Sequence, residues 1–250
     1  MPVNLVTNFG KSEYESRKSL KRKILATSAL GTAAAFGIIS HKQGFRLSNL
    51  NKVPMKDWAL FKITPKSLQI EEKEILTLAG GSVLGGLAGG AIFDEKSNFK
   101  AKLKEALNQM VGNVFIPVKC VGWASRKYKE NETKILSKVP QIKKSGKTFE
   151  ILNRGLRAIP PIFITGMALA VGIITGNKVS NFINEKLYGQ KVDRNIKATD
   201  FAPHVDDLCL AITLMAPGTL IGKIIARTIP AFLTVPGYQT GIAQGNNYKF

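Results

Sequence analysis

The sequence is poor in the residues on which most enzyme and metal chemistry depends. Its 250 residues include only two histidines, His41 and His204, and two widely separated cysteines, Cys120 and Cys209. No CxxC pair or ligand-spaced set occurs, so neither a disulfide framework nor a zinc site is predicted. The motifs of serine hydrolases, zinc peptidases, P-loops, Rossmann folds and EF-hands are also missing. We therefore predict no cofactor, no metal and no enzymatic activity.

Acidic residues are scarce as well. The chain has 17 Asp and Glu against 36 Lys and Arg, which gives a formal net charge of +19. Such an excess predicts an anionic partner, which could be lipid headgroups, nucleic acid or an acidic protein. Most basic clusters adjoin apolar runs and use Lys rather than the forked Arg side chain. Anionic lipid is therefore the favoured partner, and nucleic acid is disfavoured.

The chain does contain long uncharged windows. Residues 24–40, 75–93 and 158–177 are each long enough to cross a bilayer as a helix. None of the three contains an ionisable residue, which argues against a transporter. The predicted fold class is all-α: a polytopic helical membrane protein with three spans, one or two marginal or re-entrant segments, and amphipathic juxtamembrane helices.

The charge pattern divides the chain into segments. We predict a basic N-terminal segment (1–23) and a helical hairpin (24–93) whose interfacial loop is 41–74. An amphipathic helix with a basic loop (94–157), a C-terminal membrane region (158–236) and a loosely ordered tail (237–250) should follow. A basic stretch followed by an apolar one also describes a cleaved signal peptide. Its small-residue triplet, residues 33–35, lies inside the apolar run, so an uncleaved anchor is preferred.

Glycines in the window 75–93 follow two interleaved helical repeats. Gly81, Gly85 and Gly89 are four residues apart, and Gly86 and Gly90 repeat that spacing beside them. In water each interior glycine would weaken a helix by about 0.8–1 kcal/mol. In lipid the backbone must satisfy its own hydrogen bonds, so the helix forms regardless. The bare faces then let another backbone approach, which predicts glycine-zipper packing.

Two other windows carry similar rows of small residues. One row is Ala29, Ala33 and Gly37, and the other is Ala168, Gly172 and Gly176. Three helices are therefore predicted to offer compatible packing faces. The glycine-rich stretch resembles the glycine zippers of short bacterial envelope proteins and the glycine-rich spans of a mitochondrial protein-translocase family. The likeness is confined to this short stretch and implies helix packing alone.

Residues 94–131 follow a helical period of 3.6. The apolar positions are predicted to share one face, with Lys100, Lys102, Lys104 and Glu105 elsewhere: Phe99, Leu103, Leu107, Met110, Val114, Val118 and Val121. Pro117 and Lys119 interrupt residues 106–125, so two alternatives stay open. The segment is either a fourth span or an amphipathic helix lying on the membrane surface.

Two further predictions concern the C-terminal half. A juxtamembrane helix should continue the third span, with Val179, Phe182, Ile183 and Leu187 on one side, and end at Gly189. Residues 208–236 are interrupted by proline and glycine, which predicts a broken or re-entrant helix pair.

One polar cluster could carry chemistry. His204, Asp206 and Asp207 supply an imidazole and two carboxylates that could bind a divalent metal or relay protons at a membrane edge. Their spacing matches no closed metal pattern. Acidic residues after Pro203 equally suit the start of a helix.

Three functional hypotheses follow. The first is a non-enzymatic membrane scaffold or assembly protein, which associates through glycine-zipper packing with itself or with another membrane protein and holds anionic lipid or an acidic partner through its Lys-rich loops. The second is an oligomeric pore or translocation component, and the third is a membrane enzyme using His204, Asp206 and Asp207. With three spans, residues 1–23 and 94–157 share one side, which favours a cytoplasmic N terminus. If residues 106–125 also span, that bias nearly disappears.

Overall fold

A computed structural model describes residues 3–43, 72–144, 146–189, 195–204 and 231–245, with the side chains of the first helix described from residue 15. These residues form helices and connecting segments without a strand. The helices are α1 (Val3–Lys42), α2 (Glu72–Phe93), α3 (Phe99–Leu107), α4 (Ile116–Leu136), α5 (Lys147–Tyr188) and α6 (Val235–Ile242). Short 3-10 helices cover Lys96–Asn98 and Ala198–His204. The all-helical prediction is confirmed for the described residues.

Three helices are long and apolar enough to cross a membrane. They are the segment Glu15–Lys42 of α1, the whole of α2 and the whole of α5. Each contains one of the three uncharged windows found in the sequence. The window in α5 belongs to a single helix of 42 residues that includes Pro160 and Pro161.

α2 lies between α1 and α6. It runs antiparallel to α1, because Gly81 lies beside Gly31 while Gly85 lies beside Thr27. It runs parallel to α6, since Gly86 contacts Gly237 and Gly90 lies near Gly241, one turn further along both helices. The central position of α2 explains why its glycines occupy two faces.

α3 and α4 belong to one continuous helix, the 99–136 helix. A π-helical stretch, Asn108–Phe115, joins them without a break and is called the π segment. This long helix lies lengthwise against α2: Lys102 packs on Gly90 at one end, and Arg126 binds Glu72 at the other. Among the described residues, the three helices that are long and apolar enough to cross a membrane do not include this one, so both alternatives drawn from the sequence stay predictions.

The apolar positions of this helix differ in burial between its two halves. Phe99 and Leu103 are exposed, whereas Lys102, Lys104 and Glu105 are buried. From Val114 onward the apolar positions do face inward. The periodicity was sound, but it could not indicate whether the apolar side faced the bundle or its surroundings.

The C-terminal predictions are partly corrected. α5 ends at Gly189 as predicted, and this glycine adopts the left-handed conformation (φ 66°) of a helix cap. Phe182 and Leu187 both point outward, and Ser180 and Asn184 are buried. The tail predicted from residue 237 is wrong over residues 237–242, which belong to α6 and pack on α2. Its turn-rich composition concealed two glycines four residues apart.

The apolar core is small and lies between α1, α2 and the 99–136 helix. Its buried members are Ala35, Ile39, Leu78, Ala79, Val114, Val118 and Leu233. A second cluster joins Val121 of α4 to Leu169 and Ile173 of α5. Most of the predicted interfacial loop 41–74 and of the re-entrant pair 208–236 lies outside the described residues.

Candidate functional site

Both glycine rows of α2 lie at backbone contacts with neighbouring helices. A Cβ atom added at Gly81 would overlap the carbonyl of Gly31, and one at Gly85 would overlap the carbonyl of Thr27. On the other face, a Cβ at Gly86 would overlap the carbonyl of Gly237. Main chain therefore meets main chain on both sides of α2, and van der Waals contact replaces side-chain packing there.

The remaining glycines of the two rows contact side chains. Gly89 lies against the hydroxyl of Thr27. Gly90 accommodates the aliphatic stem of Lys102, because a Cβ at this position would come within 2.5 Å of the lysine Cδ. Gly90 is therefore required by a buried lysine as well as by a helix contact.

The small-residue row of α5 faces the 99–136 helix. A Cβ at Gly176 would overlap the carbonyl of Gly112 in the π segment, and one at Gly172 would come within 2.6 Å of the Cα of Pro117. Ala168 is half-buried at the edge of the Val121, Leu169 and Ile173 cluster.

The third row is wrongly assigned. Ala29 and Ala33 are exposed, and Gly37 has no neighbour within 4 Å of an added Cβ. α1 instead meets α2 through Thr27, Gly31 and Ala35. Both sets have helical spacing, so the sequence alone could not choose between two sides of the same helix.

Lys102 links three helices through a buried cluster. Its ammonium donates to Asp94 Oδ2 (2.6 Å), to the carbonyl of Gly241 (2.5 Å) and to the carbonyl of Ala243 (3.0 Å). The lysine side chain is 0% exposed and the carboxylate 7%. Because the two carbonyls lie at the C-terminal end of α6, the ammonium also neutralises the negative end of that helix.

The pKa of the Asp94 carboxyl depends on its burial and on its hydrogen-bond donors. Burial alone would raise the pKa of the carboxyl, but the hydrogen bonds from Lys102 and from the Glu95 amide outweigh it and hold the pKa below the ordinary 3.8. Asn98 also donates to Asp94 and accepts a bond from the Gly245 amide. Asp94, Asn98 and Lys102 thus fasten the end of α6 to the start of the 99–136 helix.

A second buried group forms a polar row along the 99–136 helix. Gln109 Nε2 donates to Glu105 Oε1 (2.7 Å), and Asn113 Nδ2 donates to Gln109 Oε1 (3.1 Å). The three residues are four apart, so they stack on one side of the helix. All three side chains are buried.

The row ends on the Ala198–His204 3-10 helix. Asn113 Nδ2 also donates to Asp200 Oδ1 (2.8 Å), whose other carboxylate oxygen accepts the amide of Lys197 (2.8 Å). His204 Nε2 lies 2.6 Å from the carbonyl of Asn113. A carbonyl can only accept, so Nε2 carries the proton in this contact. Asp200 and His204 are both buried.

A branch of this polar group reaches α5. Asn184 Nδ2 donates to Asn108 Oδ1 (3.2 Å) and to the carbonyl of Lys104 (3.3 Å). The Lys104 ammonium lies 5.0 Å from the centre of the Tyr188 ring. The contact between the 99–136 helix and α5 is thus polar toward Tyr188 and apolar toward the start of α5.

The predicted polar site is only partly described. His204 is buried and bonded to the main chain of Asn113, which gives it a structural partner. Asp206 and Asp207 lie outside the described residues. Over the part of the chain that the structure describes, no group of three or more His, Cys, Asp or Glu side chains could hold a metal ion.

The sequence contained a signal for both buried clusters that the apolar periodicity masked. Glu105, Gln109 and Asn113 are four residues apart, and so are Asp94, Asn98 and Lys102. Repeats of polar residues at that spacing can form a hydrogen-bonded face. The spacing alone does not distinguish a buried polar face from a solvated one, and charged residues in helices are usually solvated.

No protein-family model matches this sequence, and comparisons with curated proteins and with solved structures found no significant match either. Function must therefore be inferred from the packing, burial and charges of this chain.

Proposed function

We propose that this chain is a non-enzymatic integral membrane protein that acts as a scaffold, with an internally packed helical bundle and basic ends that bind anionic lipid or an acidic partner. The distribution of side chains carries the proposal. Leu30, Leu84 and Ile92 are 68–69% exposed, whereas Lys102 and Lys104 are fully buried. In water each exposed side chain would forgo about 1.5–3 kcal/mol of burial free energy. Acyl chains remove that penalty.

The same distribution extends along α5. Its outward side chains within the uncharged window are large and apolar: Ile159, Phe163, Met167, Val171 and Ile174. Its inward residues there are small or form the cluster with Val121. An apolar surface around a partly polar interior is the arrangement expected of a bundle solvated by lipid.

The basic ends follow from the course of the 99–136 helix. Lys23 lies over Phe93 at one end of α2, close to Asp94 and the start of the long helix. At the other end, Lys119 and Arg126 each bind Glu72 at 2.8 Å. Basic residues therefore lie at both ends of the bundle. If the 99–136 helix crosses the membrane, residues 94–157 do not lie on one side. The excess of Lys and Arg then favours neither orientation of the N terminus.

The glycines of α2 pack helices within one protomer, whereas the sequence predicted that they would join separate proteins. The faces of α2 are filled by α1 and α6, so they stabilise the protomer and are not available to a second copy. Association with itself or with another membrane protein would have to use the outer apolar surface or the basic ends.

Cysteine-accessibility mapping in membranes tests the proposal. In a background with Cys120→Ser and Cys209→Ser, single cysteines at Ser16, Ser97 and Ser137 would be labelled with an impermeant maleimide. All three positions are exposed and lie outside the apolar windows. We expect Ser16 and Ser97 to react from one side and Ser137 from the other. Reaction of Ser97 and Ser137 from the same side would contradict a crossing by the 99–136 helix, and extraction of the chain by carbonate would overturn the proposal.

The buried polar row favours a second candidate, a pore or translocation component. Glu105, Gln109 and Asn113 lie beside α2 and α5, and ionisable residues inside membrane bundles commonly mark ion or proton paths. The two candidates differ in vesicles that contain the purified chain. A scaffold leaves an imposed pH gradient intact, whereas a path through the row dissipates it and is blocked by Gln109→Leu.

A further inference from the structure

A cleft of about 400 Å³ lies along the second half of α4, with Ile164 of α5 lining it from the neighbouring helix. The residues that line it change from apolar at one end to mostly basic at the other. Trp123, Ala124 and Ile164 form the part nearer the middle of the bundle, and three lysines with Tyr128 and Asn131 line the part toward the end: Lys127, Lys134 and Lys138. From Trp123 to Lys134 the helix rises by roughly 17 Å. The cleft is thus long, apolar at one end and cationic at the other.

Hydrogen bonds fix the connection that follows the cationic end of the cleft. This connection is fastened to α5 because Asn153 accepts the amide of Ile142 (2.8 Å) and donates to its carbonyl (3.0 Å). Arg157 Nε also donates to the Gln141 side chain (3.1 Å). These bonds hold Gln141 and Ile142, a few positions after Lys138, against the first turns of α5.

The depth of each end can be compared with the uncharged window of α5. Ile164 lies inside that window, so the apolar end of the cleft faces acyl chains if α5 spans the membrane. Trp123 and Ala124 line the same end of the cleft as Ile164. Lys134 follows three turns later along α4, toward headgroup level.

We propose that this cleft binds one anionic phospholipid, with its phosphate among Lys127, Lys134 and Lys138 and an acyl chain along Trp123 and Ile164. The inference depends on the proposed membrane insertion and goes beyond it, because it assigns lipid recognition to one site. Three lysines outnumber the two nearby acids, which are Glu130 on Lys127 (2.7 Å) and Glu132 beside Tyr128, so the headgroup end keeps a net positive charge. A free anion would use the lysines but not the apolar end. Only an anion with an apolar chain matches both the cationic end and the apolar end of the cleft.

Quenching of Trp123 tests the site. The chain has two tryptophans, so Trp58→Phe leaves Trp123 as the only reporter. The full-length protein would be placed in nanodiscs of phosphatidylcholine that contain a low fraction of phosphatidylglycerol, with bromine on the acyl chains of one lipid or the other. We expect brominated phosphatidylglycerol to quench Trp123 roughly five- to tenfold more effectively than brominated phosphatidylcholine at equal mole fraction.

A matched pair of variants identifies the lysines responsible. Lys127→Gln, Lys134→Gln and Lys138→Gln together should abolish the preference for phosphatidylglycerol. The control removes the same charge from exposed lysines at the same end but outside the cleft: Lys129→Gln, Lys143→Gln and Lys147→Gln. It should keep the preference. Circular dichroism of both triple variants checks that the helices are intact.

The remaining outcomes separate this inference from the proposed function. Equal quenching by both lipids, or equal loss of preference in the two triple variants, would overturn the lipid site and leave membrane insertion standing. Loss of the preference on adding inorganic phosphate at constant ionic strength would assign the cleft to a free anion and also overturn the site. Absence of quenching by either lipid would overturn both proposals.

Discussion

Two neighbouring contacts in this bundle are made by opposite means. α2 meets α1 and α6 through glycines, so that backbones touch and hardly any side chain intervenes. Toward Tyr188 and the Ala198–His204 helix, the 99–136 helix meets its neighbours through buried amides, carboxylates and lysines that bond one another. Neither contact needs the hydrophobic effect. Both are therefore suited to a solvent of acyl chains, in which apolar side chains gain little by leaving the surface.

Buried polar groups should be more sensitive to substitution than the glycine contacts, and the most sensitive should be Lys102, which fastens the end of α6. Lys102→Met leaves the buried Asp94 without its cation and removes a donor from two carbonyls of α6. Removing one partner of a buried ion pair destabilises by about 3–5 kcal/mol. We expect a loss of that size, measured by thermal or denaturant unfolding in detergent.

Lys96→Met is the control for this change, because Lys96 is exposed. Exposed substitutions are usually worth less than about 0.5 kcal/mol. Adding Asp94→Asn to Lys102→Met should recover part of the loss, since no charge is then left unpaired. Equal stability of the Lys96 and Lys102 variants would show that the buried cluster does not hold α6.

A single methyl group should break the glycine contact. Gly86→Ala puts a Cβ where the Gly237 carbonyl lies, and two helix backbones cannot yield as a flexible side chain would. Overpacking usually destabilises by about 1–3 kcal/mol, and we expect the upper end here.

Gly80→Ala is the matched control for Gly86→Ala. Its added Cβ would lie 3.9 Å from Met110 Cε, an ordinary contact, and alanine favours the helix. The Gly80 variant should be as stable as the parent or slightly more so in the same unfolding assay. If both variants lose the same stability, helix propensity or insertion is responsible and the contact with α6 is not.

The polar row gives a third and intermediate effect. Asn113→Leu removes the donor to Asp200 and Gln109 while keeping a similar volume. Leaving buried acceptors unsatisfied costs about 1–3 kcal/mol. Asn131→Leu, at an exposed position of the same helix, should have little effect on unfolding. A neutral Asn113 variant would mean that the row does not contribute to the stability of the contact.

The smallest expected effect is the pH dependence of the Asp94 cluster. The pKa of this carboxyl is lower in the folded protein than its ordinary value of 3.8. Its contribution to stability is therefore present above that value and is lost as the pH falls through the folded pKa. We expect unfolding curves of the wild-type protein to lose stability below about pH 4 by more than those of Asp94→Asn. Parallel pH profiles would contradict the proposed bonding of Asp94.

The sequence indicated the apolar helices well and the polar ones poorly. The windows 24–40, 75–93 and 158–177 all lie within helices of spanning length, because an uncharged run of that size is a property of the chain itself. The direction of the apolar face of the 99–136 helix could not be predicted, because amphipathic periodicity is the same whether the apolar side faces a protein core or lipid. The glycines of α6 were missed because glycine and proline also signal turns.

The packing residues and the polar residues of the site were predicted only in part, because local spacing does not show which side of a helix meets a neighbour. All five glycines named in α2 have close neighbours, whereas the row at Ala29, Ala33 and Gly37 faces outward. His204 was predicted to belong with Asp206 and Asp207, whereas the structure joins it to Asn113, which binds Asp200, through contacts between distant positions in the chain. Contacts between residues about 90 positions apart leave no local pattern in a single sequence.

The sequence by itself determined that the chain is helical, where its long apolar helices lie and that its charge is strongly basic, because these depend on composition and on spacing within one segment. Only the tertiary structure decided which glycine faces which backbone, that Lys102 and the Glu105, Gln109 and Asn113 row turn inward, and that both ends of the bundle are basic. These features depend on which side of each helix meets a neighbour. Helical spacing defines the sides of a helix, but only its neighbours determine which of them is inside.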